Sequence, residues 1–160
     1  MKDIKKSGEV KGELIVEGNL ILTGNLTVEK QIEVSGYIDC AVYSIKAGDS
    51  IKAGYWIKAG GSIEAGNWIE AGGSILAQLW IKCKTTLKID IYIFAGIKTW
   101  SKLQVGDDLI ECGKLESGEI KFGTLKELGI EAEKENTEKQ ELVKKAEEKL
   151  ARIKDILSEK

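Results

Sequence analysis

Isoleucine returns every six residues through the middle of the chain, at 45, 51, 57, 63, 69, 75 and 81, and Leu87 and Ile93 continue the series. Two places after each stands a small or apolar residue: Ala47, Ala53, Ala59, Ala65, Ala71, Ala77, Cys83, Ile89 and Ala95. The residue between them is mostly charged, as in "IKA" and "IEA". Such a triplet turns two side chains to one side of an extended strand and one to the other. Glycine at the fourth place, as in "IKAG", supplies a corner that other residues turn at a cost. The unit is therefore a six-residue strand and corner, too short to close a coil alone, and it predicts an all-β solenoid, or β-helix.

A second period lies over the first. The residue before each isoleucine runs Ser50, Trp56, Ser62, Trp68, Ser74, Trp80, Thr86, Tyr92, and a "GG" corner precedes the serines at 62 and 74 but not the tryptophans. The simplest reading is a flattened solenoid with two strands and twelve residues per coil, in which like residues stack every ~4.8 Å. A triangular coil of eighteen residues would instead scatter Ser and Trp over all faces. On the twelve-residue reading, Trp56, Trp68, Trp80 and Tyr92 form one aromatic ladder. A row of large rings beside an interior of Ile and Ala marks an interface, so these four are the candidate partner-binding residues.

The pattern reaches beyond this tract. "LIVEGN", "LILTGN", "LTVEKQ", "IEVSGY" and "IDCAVYS" begin at Leu14, Leu20, Leu26, Ile32 and Ile38, the last with one extra residue. Downstream, "IFAGIKTWS" breaks the count, and "LQVGDD", "IECGK", "LESGE" and "IKFGT" follow irregularly to Thr124. The expected organisation is a lead-in over 1–12, a solenoid over 13–124, a linker over 125–136 and a C-terminal amphipathic α-helix over 137–160. About nine coils would make a rod ~40 Å long. In the helix, Thr137 and Gln140 form a capping box, and Val143, Ala146, Leu150, Ile153 and Leu157 are spaced three, four, three, four. That short stripe is ~33 Å long with its flanks if fully helical. It suits docking on its own solenoid, dimerisation or a partner, so Val143, Leu150, Ile153 and Leu157 join the candidate binding residues.

Charge changes the picture little. Residues 1–102 carry 13 basic and 11 acidic side chains, a net +2, and 103–160 carry 11 and 15, a net −4. Neither makes a surface for polyphosphates or imitates one, which argues against direct nucleic-acid binding. The longest apolar run, "IYIFAGI", is far short of the ~18 residues that cross a membrane, and "MKDIKKSGEVKG" lacks the apolar stretch of a signal peptide. The expectation is a cytoplasmic protein with no membrane partner. Cys40, Cys83 and Cys112 are odd in number, far apart, and each two residues after an isoleucine. They read as small buried thiols rather than as a disulfide framework or zinc site.

The tandem "SIKAG", "WIKAGG" and "SIEAG" units running into "IYIFAGIKTW" resemble a glycine-rich repeat of uncharacterised bacterial and bacteriophage proteins, over about residues 44–100. The resemblance implies a phage or prophage origin. More loosely, "VKGELIVEGNLILTGNLTV" is similar to the bactofilins, polymer-forming β-helical proteins of the cytoskeleton. No catalytic residue carries over from either. Hexapeptide acyltransferases, another solenoid family, place the small residue before the aliphatic one and use a histidine base. This chain has glycine three places after isoleucine, and no histidine at all.

That absence removes Ser/His/Asp and Cys/His nucleophile systems and His-based metal sites. Asp107, Asp108 and Glu111 in "VGDDLIE" could in principle hold magnesium, yet acidic residues after glycine between apolar runs are ordinary turn chemistry. Nothing fixes a carboxylate pair of the kind that cleaves glycosides. The ladder Ser50, Ser62, Ser74, Thr86 could suggest ice binding, but Lys52, Glu64 and Lys88 interrupt it. The expectation is no enzyme and no cofactor: a rigid scaffold that binds a protein partner or itself. Two alternatives are a phage-type inhibitor, of anti-CRISPR kind, that blocks a host nuclease, and a glycan-binding phage structural protein.

Overall fold

In the computed structural model the described residues are 2–98, 102–129, Lys144 and Lys145. Of these, residues 2–98 and 102–128 form a parallel β-solenoid of about seven turns. Its triangular coil has three faces. The first carries β2 (Leu14–Val16), β4 (Ile32–Val34), β7 (Ile51–Ala53), β10 (Ile69–Ala71) and the opening halves of β13 (Thr86–Ala95) and β15 (Lys114–Phe122). The second carries the opening halves of β1 (Asp3–Val10) and β3 (Asn19–Val28), then β5 (Ile38–Asp39), β8 (Ile57–Ala59), β11 (Ile75–Ala77) and the closing halves of β13 and β15. The third carries the closing halves of β1 and β3, then β6 (Ile45–Ala47), β9 (Ile63–Ala65), β12 (Ile81–Cys83), β14 (Leu109–Cys112) and β16 (Thr124–Glu127).

The coil is eighteen residues long, not twelve. Ile45 pairs with Ile63, Ile63 with Ile81, Ile51 with Ile69, and Ile57 with Ile75, each eighteen residues on. The inward pattern is blind to this choice, because every multiple of six lays isoleucine over isoleucine. What differs is the outside. Three is odd, so the serine–aromatic alternation from one hexad to the next also runs up each column, setting ring beside small side chain. The outward charges, Lys46, Lys52 and Lys58 followed by Glu64 and Glu70, change sign only after a full coil and so set acid beside base on two faces. At a spacing of ~4.8 Å that packs bulk against space and pairs opposite charges. Seven rungs give a rod ~30 Å long rather than ~40 Å.

The interior is as the triplets predict. Ile45, Ile57, Ile63, Ile69, Ala59 and Ala71 are buried, and the core runs unbroken from Leu14 to Cys112. Lys46 and Lys58 face solvent, whereas Glu64 is half-buried under a neighbouring ring. Strand β1, inside the span read as a lead-in, already pairs with β3 as the first rung. The extra residue at Ile38–Ser44 is taken up in one corner, where Ala41 adopts a φ of +43° and leaves Val42 standing out at 68% exposure. The downstream units are more regular than they read: Ile110, Leu115, Ile120 and Leu125 are five apart, and Ile110 pairs with Leu125 across fifteen residues. Gly118 and Gly123, at φ +113° and +121°, turn these tighter corners. The helix read over 137–160 lies outside the described residues, apart from Lys144 and Lys145, which are helical.

Most fourth-place glycines have a cause other than φ. A Cβ on Gly48, Gly54 or Gly66 would fall within 2.9 Å of a carbonyl carbon of the rung below, and nearer still to its oxygen. These corners stack so closely that only a hydrogen fits.

Candidate functional site

The outward residues separate the faces. On the third, Lys46, Glu64, Lys82, Glu111 and Lys126 follow one another up successive rungs, with Lys46 Nζ 3.4 Å from Glu64 and Lys126 Nζ 2.9 Å from Glu111. On the first, Glu33, Lys52, Glu70 and Lys88 do the same, with pairs of 3.8 Å at Lys52–Glu33 and Lys88–Glu70. Each exposed pair is worth at most about 1 kcal/mol. Together they make two faces dominated by paired charges, with Ile15, 59% exposed, at the start of the first face's column beside Glu33.

The second face breaks the rule. Its outward column reads Lys5, Ile21, Asp39, Lys58, Leu76 and Phe94, and in the last rung Phe122, 45% exposed, pairs with Phe94 across a register shift. Along the edge beside it stand Tyr37 and Trp56, whose rings stack at 4.2 Å with 6° between their planes, and Tyr92. Tyr55 and Ile91 occupy the adjoining corner, 53% and 48% exposed. Tyr92 meets Phe94 edge-on at 6.3 Å, and Lys121 Nζ lies 4.9 Å over the Tyr92 ring. An apolar and aromatic strip thus runs along one face and edge of an otherwise charged rod, the kind of exposed patch that marks an interaction surface.

The expected aromatic ladder is not one ladder. Trp56 and Tyr92 share the second face, two rungs apart with Ser74 between them. Trp68 lies on the first face between Ser50 and Thr86, and Trp80 on the third beyond Ser62. Trp80 belongs to the charge ladder, its Nε1 donating to Glu64 Oε1 at 2.8 Å with Lys82 Nζ 5.6 Å from its ring. The serines are likewise dispersed, and Ser62 Oγ bonds Ser44 Oγ at 3.3 Å on the third face. Tyr37, Tyr55, Leu76, Ile91, Phe94 and Phe122 were not singled out from the sequence. The signal was there in "ILA" and "IFA", the two triplets of the regular tract whose outward residue is apolar, eighteen residues apart. Val143, Leu150, Ile153 and Leu157 lie outside the described residues.

The carboxylates of "VGDDLIE" are each engaged. Asp107 Oδ2 accepts from the Gln104 amide at 2.8 Å and from Lys98 Nζ at 3.3 Å, and these bonds hold its pKa below the ordinary carboxylate value. Asp108 accepts from Thr124 Oγ1 at 2.7 Å, and Glu111 pairs with Lys126. Among the described residues no three His, Cys, Asp or Glu side chains gather as metal ligands. All three cysteines are free and buried. Burial pushes the Cys83 thiol up to about 12 and the Cys112 thiol up to about 11, and raises Cys40 further.

The fold and its surface define the class of protein: a triangular parallel β-solenoid with two charge-laddered faces and one apolar face. Comparison with protein-family models, with curated proteins and with solved structures finds no match to this chain.

Proposed function

We propose that the protein is a non-catalytic rod that works by holding another protein surface against its second face. The observation that carries this reading is the contrast between faces. The same hexad builds all three, and through the regular tract two of them alternate Lys and Glu at the outward position, whereas the second face turns to Leu76 and Phe94. The core is indifferent to an outward residue, so the apolar choice serves a contact made beyond the core. A flat face built on hydrogen-bonded rungs is also preorganised and loses little conformational entropy when a partner settles on it.

The test restores the ladder. Leu76→Glu with Phe94→Lys extends the order to Asp39, Lys58, Glu, Lys and leaves every buried residue in place. The double variant should keep its circular dichroism and urea midpoint, yet lose binding of a hydrophobic-surface dye and lose association with protein partners or with itself. Unchanged dye binding and unchanged association would refute the reading.

A further inference from the structure

Resting on that reading, we propose that the partner is a second copy of this chain, docked antiparallel through the second face, with the two-fold axis between β5 and β8. The first six rungs of the face present, from β1 to β13, the outward residues Lys5, Ile21, Asp39, Lys58, Leu76 and Phe94. A two-fold between the third and fourth rungs sets each rung against the one whose number completes seven. Asp39 then meets Lys58 of the other copy, Ile21 meets Leu76, and Lys5 comes over the Phe94 ring. Acid faces base, aliphatic faces aliphatic, and the outermost lysine faces an aromatic ring, a favourable cation–π pairing.

The neighbouring columns fit the same axis independently. At the edge, Tyr37 of the third rung meets Trp56 of the fourth, so the two intrachain stacks join into a four-ring cluster at the centre. In the adjoining corner, Tyr55, 53% exposed, comes opposite Gly36, which has no side chain. At the far corner, Val42, raised by the extra residue of the third rung and 68% exposed, comes opposite Gly60 and Gly61 of the fourth. Large meets small in both corners.

Other registers are worse. Moving the axis half a rung toward β1 sets Asp39 against its own copy, and half a rung toward β15 sets Lys58 against its own. Parallel docking without stagger does both. Six overlapping rungs span ~29 Å, and a side of the triangle is ~20 Å wide, so each copy covers about 600 Å² and the pair about 1,200 Å², the lower end of specific interfaces. The flat charge-laddered faces offer no comparable apolar centre.

The test is the oligomeric state of the full chain by sedimentation equilibrium over the micromolar range. The parent should show a reversible monomer–dimer equilibrium. Lys58→Asp should weaken the dimer by about tenfold or more, and combining it with Asp39→Lys should restore most of that loss. Because Asp39 also accepts from the Ala41 amide at 2.9 Å, a second measurement guards against local distortion. Ile21→Cys with Leu76→Cys places thiols ~14 Å apart within one chain, three rungs away. A bis-maleimide shorter than that span should couple them only between chains, giving a covalent dimer that neither single variant gives. A parent that stays monomeric throughout overturns the proposal, as does a dimer indifferent to the charge exchange and refractory to the cross-linker. Either result leaves the broader reading standing if the Leu76→Glu, Phe94→Lys variant still loses a different protein partner.

Discussion

Gly66→Ala examines why this coil closes as it does. The methyl group would lie 2.8 Å from the Gly48 carbonyl carbon and closer to its oxygen, whereas ordinary contacts begin near 3.4 Å. The corner cannot easily lift away, because the Gly66 amide donates to Ala47 O at 3.1 Å and the Asn67 amide to Asp49 O at 2.8 Å. Opening it enough for a methyl group carries an overpacking cost of about 1–3 kcal/mol and weakens two hydrogen bonds worth about 1 kcal/mol each. The stiffer unfolded chain returns about 0.4–1 kcal/mol. The net expectation is a loss of about 2–4 kcal/mol, read as a fall of about 1–2 M in the urea midpoint at an m-value of ~2 kcal/mol/M. Gly12→Ala is the control, since nothing lies within 4 Å of its Cβ and only its φ of +77° is strained. That left-handed strain costs about 1–2 kcal/mol. A Gly66→Ala protein as stable as the parent, or less affected than Gly12→Ala, would refute the argument that close stacking selects these glycines.

Three further outcomes are expected. Ile63→Ala removes a fully buried side chain and should cost about 2–5 kcal/mol in urea unfolding; a loss below about 0.5 kcal/mol would overturn its inward register. The thiols give a pH dependence. Unfolded cysteines ionise from about pH 8.5, whereas folded Cys83 and Cys112 hold their protons to about 12 and 11. The folded values are raised, so their contribution is complete below pH 8.5 and declines above it, by about 1.4 kcal/mol per pH unit per thiol, until the folded thiols ionise. Replacing all three cysteines by alanine should flatten the fall in stability between about pH 8.5 and 10.5, and an unchanged slope would count against their burial. Glu64→Lys sets three lysines in a row on the third face and removes the acceptor of Trp80 Nε1. It should cost about 1 kcal/mol, less in high salt, and a salt-independent loss would show that the indole hydrogen bond rather than charge carries the effect.

The core was legible because it obeys one rule. An inward Ile and Ala two places apart need nothing but the pleat of a strand, and the same rule placed Cys40, Cys83 and Cys112 inside. The number of sides was not legible from it, since the inward residues repeat at every multiple of six. The outward charges separate twelve from eighteen narrowly: at twelve Lys46 would lie beside Lys58, whereas at eighteen Lys46–Glu64–Lys82 and Lys52–Glu70–Lys88 alternate without exception. The reading of the tryptophans followed the wrong coil, and so assembled one ladder out of residues from three faces. The five-residue units from Ile110 read as irregular because two of their corners close only through the positive φ of Gly118 and Gly123, which spacing does not reveal.

The exterior pattern also shows how the second face is set apart from the other two. Serine and aromatic residues alternate from hexad to hexad and so give every column a large–small order, while the outward charge changes sign once per coil and so gives two of the columns a plus–minus order, the default exterior of this rod. A flat apolar face on a rod of stacked parallel strands invites unrestricted lateral association, and alternating charge on two faces suppresses it. To obtain one sticky face, the chain has only to break the default at a single outward position in successive coils. Leu76 and Phe94 do that one rung apart. At mid-height Asp39 and Lys58 keep opposite charges on the same face. An unbroken apolar column would let a partner slide from rung to rung at little cost. The charged pair sets a fixed point along it, so a partner must match a particular height on the rod as well as its surface.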